Sequence, residues 1–120
     1  MGGNVAPGAK EIYQHHAENY GVHYSYYNFV NDFRATDCDP AQWARLFEDA
    51  GARYIVNTSK HHDGFALWPS AEADRSLGFP WNSMSAGPKR GLLGELEREV
   101  DKTSVKFVMC YSLYVWYNPL

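Results

Sequence analysis

The apolar positions of this 120-residue chain change their spacing several times, and each change predicts an element or its end. Ile12, Tyr13, His16 and Tyr20 recur at helical intervals, so a helix is expected over residues 10–19, with Gly21 placed where a left-handed cap stops it. Residues 22–33 are rich in tyrosine but keep no period. They read as an irregular excursion packed by its own aromatics, with at most one short strand. Asp39-Pro40 is a strong helix start: a carboxylate suited to the N-cap, then a ring whose fixed φ and missing N–H suit the first turn. Trp43, Leu46, Phe47 and Ala50 follow as an inward stripe, and Gly51 supplies the stop.

The second half changes character. Tyr54, Ile55 and Val56 form an apolar run without alternation, as expected of a parallel strand over residues 53–58 that is covered on both faces. Residues 69–90 hold Pro69, Pro80 and Pro88 with several Gly and Ser and no period, and read as one long loop. Leu92, Leu93, Leu96 and Val100 predict an inward helix face over residues 92–101, and residues 105–111 a second apolar strand. Strand, loop, helix, strand is a βαβ crossover, which favours parallel pairing with a right-handed connection. Two strands do not make a stable sheet by themselves. The expected class is therefore α/β, a βαβ excerpt with a preceding helix, cut from a larger parallel sheet.

Composition narrows the partners. A net charge of −3 with 21% charged residues leaves no basic stripe, so neither nucleic acid nor an anionic membrane is expected as partner. No apolar run approaches the roughly 18 residues of a membrane span. The Gly-, Ala- and Pro-rich residues 1–9 are expected to be disordered, and they show neither a signal-peptide pattern nor, with Ala6 in place of Ser or Thr, the usual myristoylation pattern. Cys38 and Cys110 stand far apart without a second pair, which argues against a disulfide framework and against a zinc site. Four Trp and nine Tyr serve either a core or a sugar-stacking surface.

Candidate chemistry gathers where the first strand ends. Lys60, His61, His62 and Asp63 follow the apolar run directly, Gly64 permits a bend, and Phe65, Leu67 and Trp68 return to apolar surface. Functional groups of α/β proteins collect at the carboxyl ends of parallel strands. Adjacent side chains at a strand end point to opposite sides, so His61 and His62 are not expected to act on one group unless the bend at Gly64 relaxes that rule. A metal reading of His61, His62 and Asp63 lacks the helical i, i+4 pairing of zinc sites, and no metal is expected. His15 and His16, neighbours on a helix, read as part of an amphipathic surface. Asn57-Thr58-Ser59 matches a glycosylation sequon but falls inside the expected buried strand.

Lys60-His-His-Asp-Gly-Phe-Ala-Leu-Trp-Pro-Ser70 resembles the signature segment of the α-L-fucosidases, retaining glycoside hydrolases built on a (β/α)8 TIM barrel. Residues 11–16, 19–21, 39–47, 50–54, 81–84, 87–90, 94–96 and 111–120 are similar to family segments in family order. The resemblance implies that residues 10–120 are a fragment of a catalytic barrel, since a complete one takes about 250 residues. It implies a terminal α-linked fucose on a glycan as substrate, the remaining part of the barrel as partner, no cofactor, and a fucose pocket to which His61, His62 and, among the aromatics, Trp68 contribute. Trp81 and Trp116 are expected to lean towards core packing.

No catalytic residue is assigned within the chain, because the family carries its nucleophilic aspartate downstream of this segment; Asp63 is expected to cap the loop. Localisation stays open, family members being lysosomal, secreted or periplasmic. Departures from the family pattern matter as well. Cys110 stands where a substrate-contacting tyrosine is usual, Gly91 in place of an aspartate, and Val115 in place of a glutamate. The family's upstream strand with its own pocket histidine has no counterpart. These departures keep open an alternative, a non-catalytic carbohydrate-binding or pseudoenzyme remnant.

Overall fold

A computed structural model describes residues 8–116, which fall into two compact units that divide between Asp32 and Phe33. The first unit holds helix α1, Ala9–Tyr20, and a 3-10 helix, Tyr26–Asn31. Gly21, at φ 93°, ends α1 by donating its N–H to the Ala17 carbonyl at 2.9 Å. Ser25 caps the 3-10 helix by accepting from the Tyr27 N–H. The excursion is thus packed by its own aromatics but contains a helix turn rather than a strand. Tyr20 and Tyr24 stand 4.8 Å and 5.1 Å from the Phe29 ring. His16 joins the same knot, its Nε2 paired with the Tyr24 carbonyl at 2.7 Å, so it is a packing residue while His15 remains on the surface.

The second unit holds α2, Pro40–Asp49; β1, Tyr54–Lys60; α3, Ala71–Leu77; α4, Leu92–Val100; and β2, Lys106–Tyr111. Asp39 accepts from the Gln42 N–H at 3.0 Å at the start of α2, as its sequence position predicts. Ala44, Leu96, Val100 and Val105 form the core between α2, α4 and the sheet, with Phe47, Ala52, Ile55 and Phe107 packed against it. All four apolar residues expected inward on α4 are buried. On α2 the expected stripe is displaced. Only Phe47 of it reaches the core, the small Ala44 makes the close approach, and Trp43 and Leu46 are left 39% and 62% exposed.

β1 and β2 pair in parallel, Ile55 opposite Phe107 and Thr58 opposite Cys110. One face of this sheet, through Ile55 and Phe107, lies on the helices. The other carries Tyr54, Val56 and Val108, exposed by 63%, 54% and 44%. No described residue covers the second face, as expected of a parallel strand cut from a larger sheet. Asn57 and Thr58 of the sequon are not buried either. Among the described residues no helix is long and apolar enough to cross a membrane, and Cys38 and Cys110 are free thiols.

The stretch 69–90 is not one loop. Ser70 caps α3 by accepting from the Ala73 N–H at 3.1 Å, and Gly78, at φ 79°, closes it. Both punctuation marks are in the sequence, but the helix between them is too short and too alanine-rich to show a period. Asp74 Oδ1 then gathers the rest, accepting from the Trp81 N–H at 2.7 Å, the Asn82 amide at 2.9 Å and the Ser85 hydroxyl at 3.2 Å. Asp74→Ala is expected to cost about 2 kcal/mol in thermal unfolding because it strands these donors, whereas Glu72→Ala, which removes only an exposed pair with Arg75, costs under about 0.5 kcal/mol.

A second carboxylate ties α2 to the turn before β2. Glu48 accepts from the Ser104 N–H at 2.8 Å and hydroxyl at 2.9 Å, and these two bonds hold its carboxyl below the usual carboxylate range. A depressed folded-state pKa contributes stability that is complete above the ordinary carboxyl range and is lost as pH falls through the folded value. Glu48→Gln should therefore lower the thermal midpoint at about pH 7, with the difference shrinking as pH falls through the carboxyl's folded range, as calorimetry across pH will show.

Candidate functional site at the strand ends

The site begins with a register fault. Between Thr58 and Lys60 the pairing slips by one residue, so that Lys60 rather than Ser59 meets Tyr111, while the Ser59 hydroxyl donates to the Cys110 carbonyl at 2.8 Å. The chain then turns: the Gly64 N–H donates to the His61 carbonyl at 3.0 Å. Gly64 adopts φ 80° with the Val115 side chain 3.1 Å from where a Cβ would lie, so a larger residue is doubly disfavoured. Asp63 caps this turn by accepting from the Phe65 N–H at 3.0 Å, and its carbonyl accepts from the Trp81 indole at 2.8 Å.

The end of β2 runs alongside. Ser112 N–H donates to the Lys60 carbonyl at 3.0 Å and Trp116 N–H to the His62 carbonyl at 2.8 Å. These bonds carry residues 112–116 across the turn. His61 Nδ1 pairs with the Ser112 hydroxyl at 2.7 Å, and His62 Nδ1 with the Tyr114 carbonyl at 3.2 Å.

The two imidazoles are therefore not on opposite sides. Their ring centroids are 4.0 Å apart, because strand alternation ends at Lys60 and both rings belong to the turn. His62 in turn stacks on Trp116 at 5.1 Å and 15°. Trp116, expected towards the core, is 63% exposed and forms one wall of this cluster, whereas Trp81 is buried at 3% as expected. Trp68 stands elsewhere, its ring 6.2 Å from Tyr111. It lines a cavity of about 200 Å³ with Lys60, Glu72, Tyr111 and Val115, and a cavity of about 580 Å³ with Met84, Leu93, Met109 and Tyr111. Neither of these cavities is lined by the histidines.

Lys60, grouped in the sequence with the histidines but given no role there, is the most buried of that cluster. It is 6% exposed, its ammonium reaching the His61 carbonyl only at 3.5 Å and lying 4.7 Å from the Tyr111 ring. Burial pushes this ammonium below the usual lysine range, partly offset by the charge of Asp63. The signals for Lys60, Ser112, Tyr114 and Trp116 were present in principle, since parallel neighbours end at the same edge of the sheet. Arg90 plays a structural part. It donates to the carbonyls of Ala35 and Cys38 and pairs with Glu95, which raises its pKa further and fixes the loop before α2.

At the three departure positions, Cys110 is exposed opposite Thr58, Gly91 starts α4 without a side-chain cap, and Val115 lines the smaller cavity beside Lys60. No group of three or more His, Cys, Asp or Glu is placed to hold a metal ion among the described residues.

A parallel α/β unit that sets paired imidazoles and a stacked indole at its strand ends has the layout of a small-molecule site with hydrogen-bonding and apolar walls. The chain belongs to the alpha-L-fucosidase family, whose sequence profile matches residues 3–120. It is 44% identical over 103 residues to the tissue alpha-L-fucosidase of Rattus norvegicus, an alignment spanning 86% of this chain and 21% of that protein. The tissue alpha-L-fucosidase of Homo sapiens is 41% identical over the same share of this chain. Among solved structures it is similar to the Thermotoga maritima alpha-fucosidase in complex with fucose, at 40% identity and a TM-score of 0.76, covering 83% of this chain and 22% of that one. The chain thus spans about a fifth of the length of the curated relatives it matches.

A buried ammonium offset only in part by the charge of Asp63 is a cost the fold carries. Because its folded-state pKa is lowered, that cost is full below the folded value and disappears as pH rises past the unfolded one. Lys60→Met should raise stability at neutral pH by roughly 1 kcal/mol, with the gain fading in strongly alkaline buffer, as thermal melts across pH will read.

Proposed function

We propose that the chain is part of an α-L-fucosidase that hydrolyses terminal α-linked L-fucose from glycans with retention, and that it supplies the second and third strands of a (β/α)8 barrel with one wall of the fucose pocket. The observation that carries this reading is the placement of His61 and His62, rings 4.0 Å apart, at the end of β1, beside a stacked Trp116. Imidazoles that donate and accept suit sugar hydroxyls, and an indole face suits the apolar side of a deoxy sugar. Family membership and the likeness to a fucose-bound structure support the substrate class.

The same reading assigns neither catalytic carboxylate to this chain. Retaining glycosidases need two carboxyl groups about 5–5.5 Å apart. Asp63, the carboxylate next to the histidines, is engaged in capping its own turn. The remaining strands of the barrel are then the obligatory partner, and they would cover the exposed face of Tyr54, Val56 and Val108. Cys110 and Val115 favour the second reading, a pocket that still contacts sugar without hydrolysis.

Two outcomes follow. The purified chain should release no fucose from a chromogenic fucoside above the buffer rate; release that survives purification and vanishes on changing one of its own carboxylates contradicts the assignment. His61→Ala and His62→Ala should each weaken L-fucose binding about ten-fold in ligand-observed NMR, since each leaves a hydroxyl unpaired. Equal affinity in parent and variants, with only thermal stability lowered, would make the histidines scaffold.

A further inference from the structure

We infer that the two histidines are not equivalent: His62 is locked as its Nδ1–H tautomer and presents Nε2 as a fixed hydrogen-bond acceptor, while Ser112 is the positioning residue that holds an adaptable His61. The asymmetry follows from the partners. A carbonyl oxygen only accepts, so the 3.2 Å contact between His62 Nδ1 and the Tyr114 carbonyl requires the proton on Nδ1. In the neutral ring the lone pair is then on Nε2. Ring rotation is restrained by Trp116 stacked at 5.1 Å on His62 and by His61 at 4.0 Å, and the Tyr114 carbonyl is held in place by the neighbouring bond from Trp116 N–H to the His62 carbonyl at 2.8 Å.

His61 differs because a hydroxyl both donates and accepts. Its 2.7 Å contact with Ser112 Oγ is satisfied by either tautomer, the serine proton turning to suit. Ser112 is itself fixed, its N–H donating to the Lys60 carbonyl at 3.0 Å. Neither Nε2 has a hydrogen-bond partner among the described residues. The pair therefore offers a ligand one group that only accepts and one that takes either role, the complement of adjacent hydroxyls on a neutral sugar. A carboxylate or carbonyl brought to His62 Nε2 would meet a lone pair. This specificity rests on the fucose reading above, but the tautomer does not.

The test is NMR of the 120-residue chain with ¹⁵N,¹³C-labelled histidine, with His62 assigned by the signal lost in His62→Gln. In the absence of sugar His62 should show the Nδ1–H pattern; an Nε2–H pattern overturns the lock. Ser112→Ala should shift the His61 Nδ1 resonance and weaken L-fucose binding about ten-fold, and Ser112→Thr, which keeps the hydroxyl, should restore both. If Ser112→Ala leaves the His61 resonance in place, or Ser112→Thr fails to restore it, the positioning role is wrong. If His62 is Nδ1–H while L-fucose binds equally well to the parent and to the His61→Ala and His62→Ala variants, the lock stands and the fucose reading falls.

Discussion

Parallel pairing between β1 and β2 is the constraint from which the rest of the described second unit follows. Parallel strands require a crossover, and here the crossover consists of the capped turn at residues 61–64, the short α3, the Asp74-centred loop and α4. It returns the chain so that Ile55 and Phe107 share one covered face with Val100 and Leu96. Both strands then end at the same edge. The one-residue slip at Ser59 sets what that edge presents by moving Lys60 into register with Tyr111, and the turn that follows brings His61 and His62 together.

This arrangement explains why the site is polar on a framework that is otherwise apolar. The turn and residues 112–116 satisfy each other through backbone bonds, so the imidazoles are oriented by partners on a neighbouring segment and not by their own strand. Lys60 is held beneath them at a cost in desolvation, which is how functional positions commonly differ from positions selected for stability alone. Val115 stands by a buried ammonium, and Cys110 is exposed opposite Thr58.

Much of this was legible in the sequence, and the exceptions share a cause. The buried face of α4 was readable because Leu92, Leu93, Leu96 and Val100 are core by position and by type. The caps at Asp39 and Gly51 were readable because they depend on local chemistry, whereas Ser70 and Gly78 went unread because α3 between them is too short for a period. What failed was burial that depends on neighbours: Trp43, Leu46 and Trp116. Trp116 stacks on His62 instead of entering the core, and a pattern of apolar positions cannot say which surface meets which partner. The contact between His61 and His62 depends on the turn closed by Gly64, which the sequence offered only as a condition, while the one-residue slip before it leaves no compositional mark.

The central claim is that the imidazole pair at the end of β1 touches fucose. Intermolecular nuclear Overhauser effects between L-fucose and the protein measure that contact without relying on activity or on a variant. The account predicts cross-peaks from the sugar to the ring protons of His61, His62 and Trp116. Cross-peaks to Met84 and Met109 in the larger cavity, with none to the histidines, would contradict it.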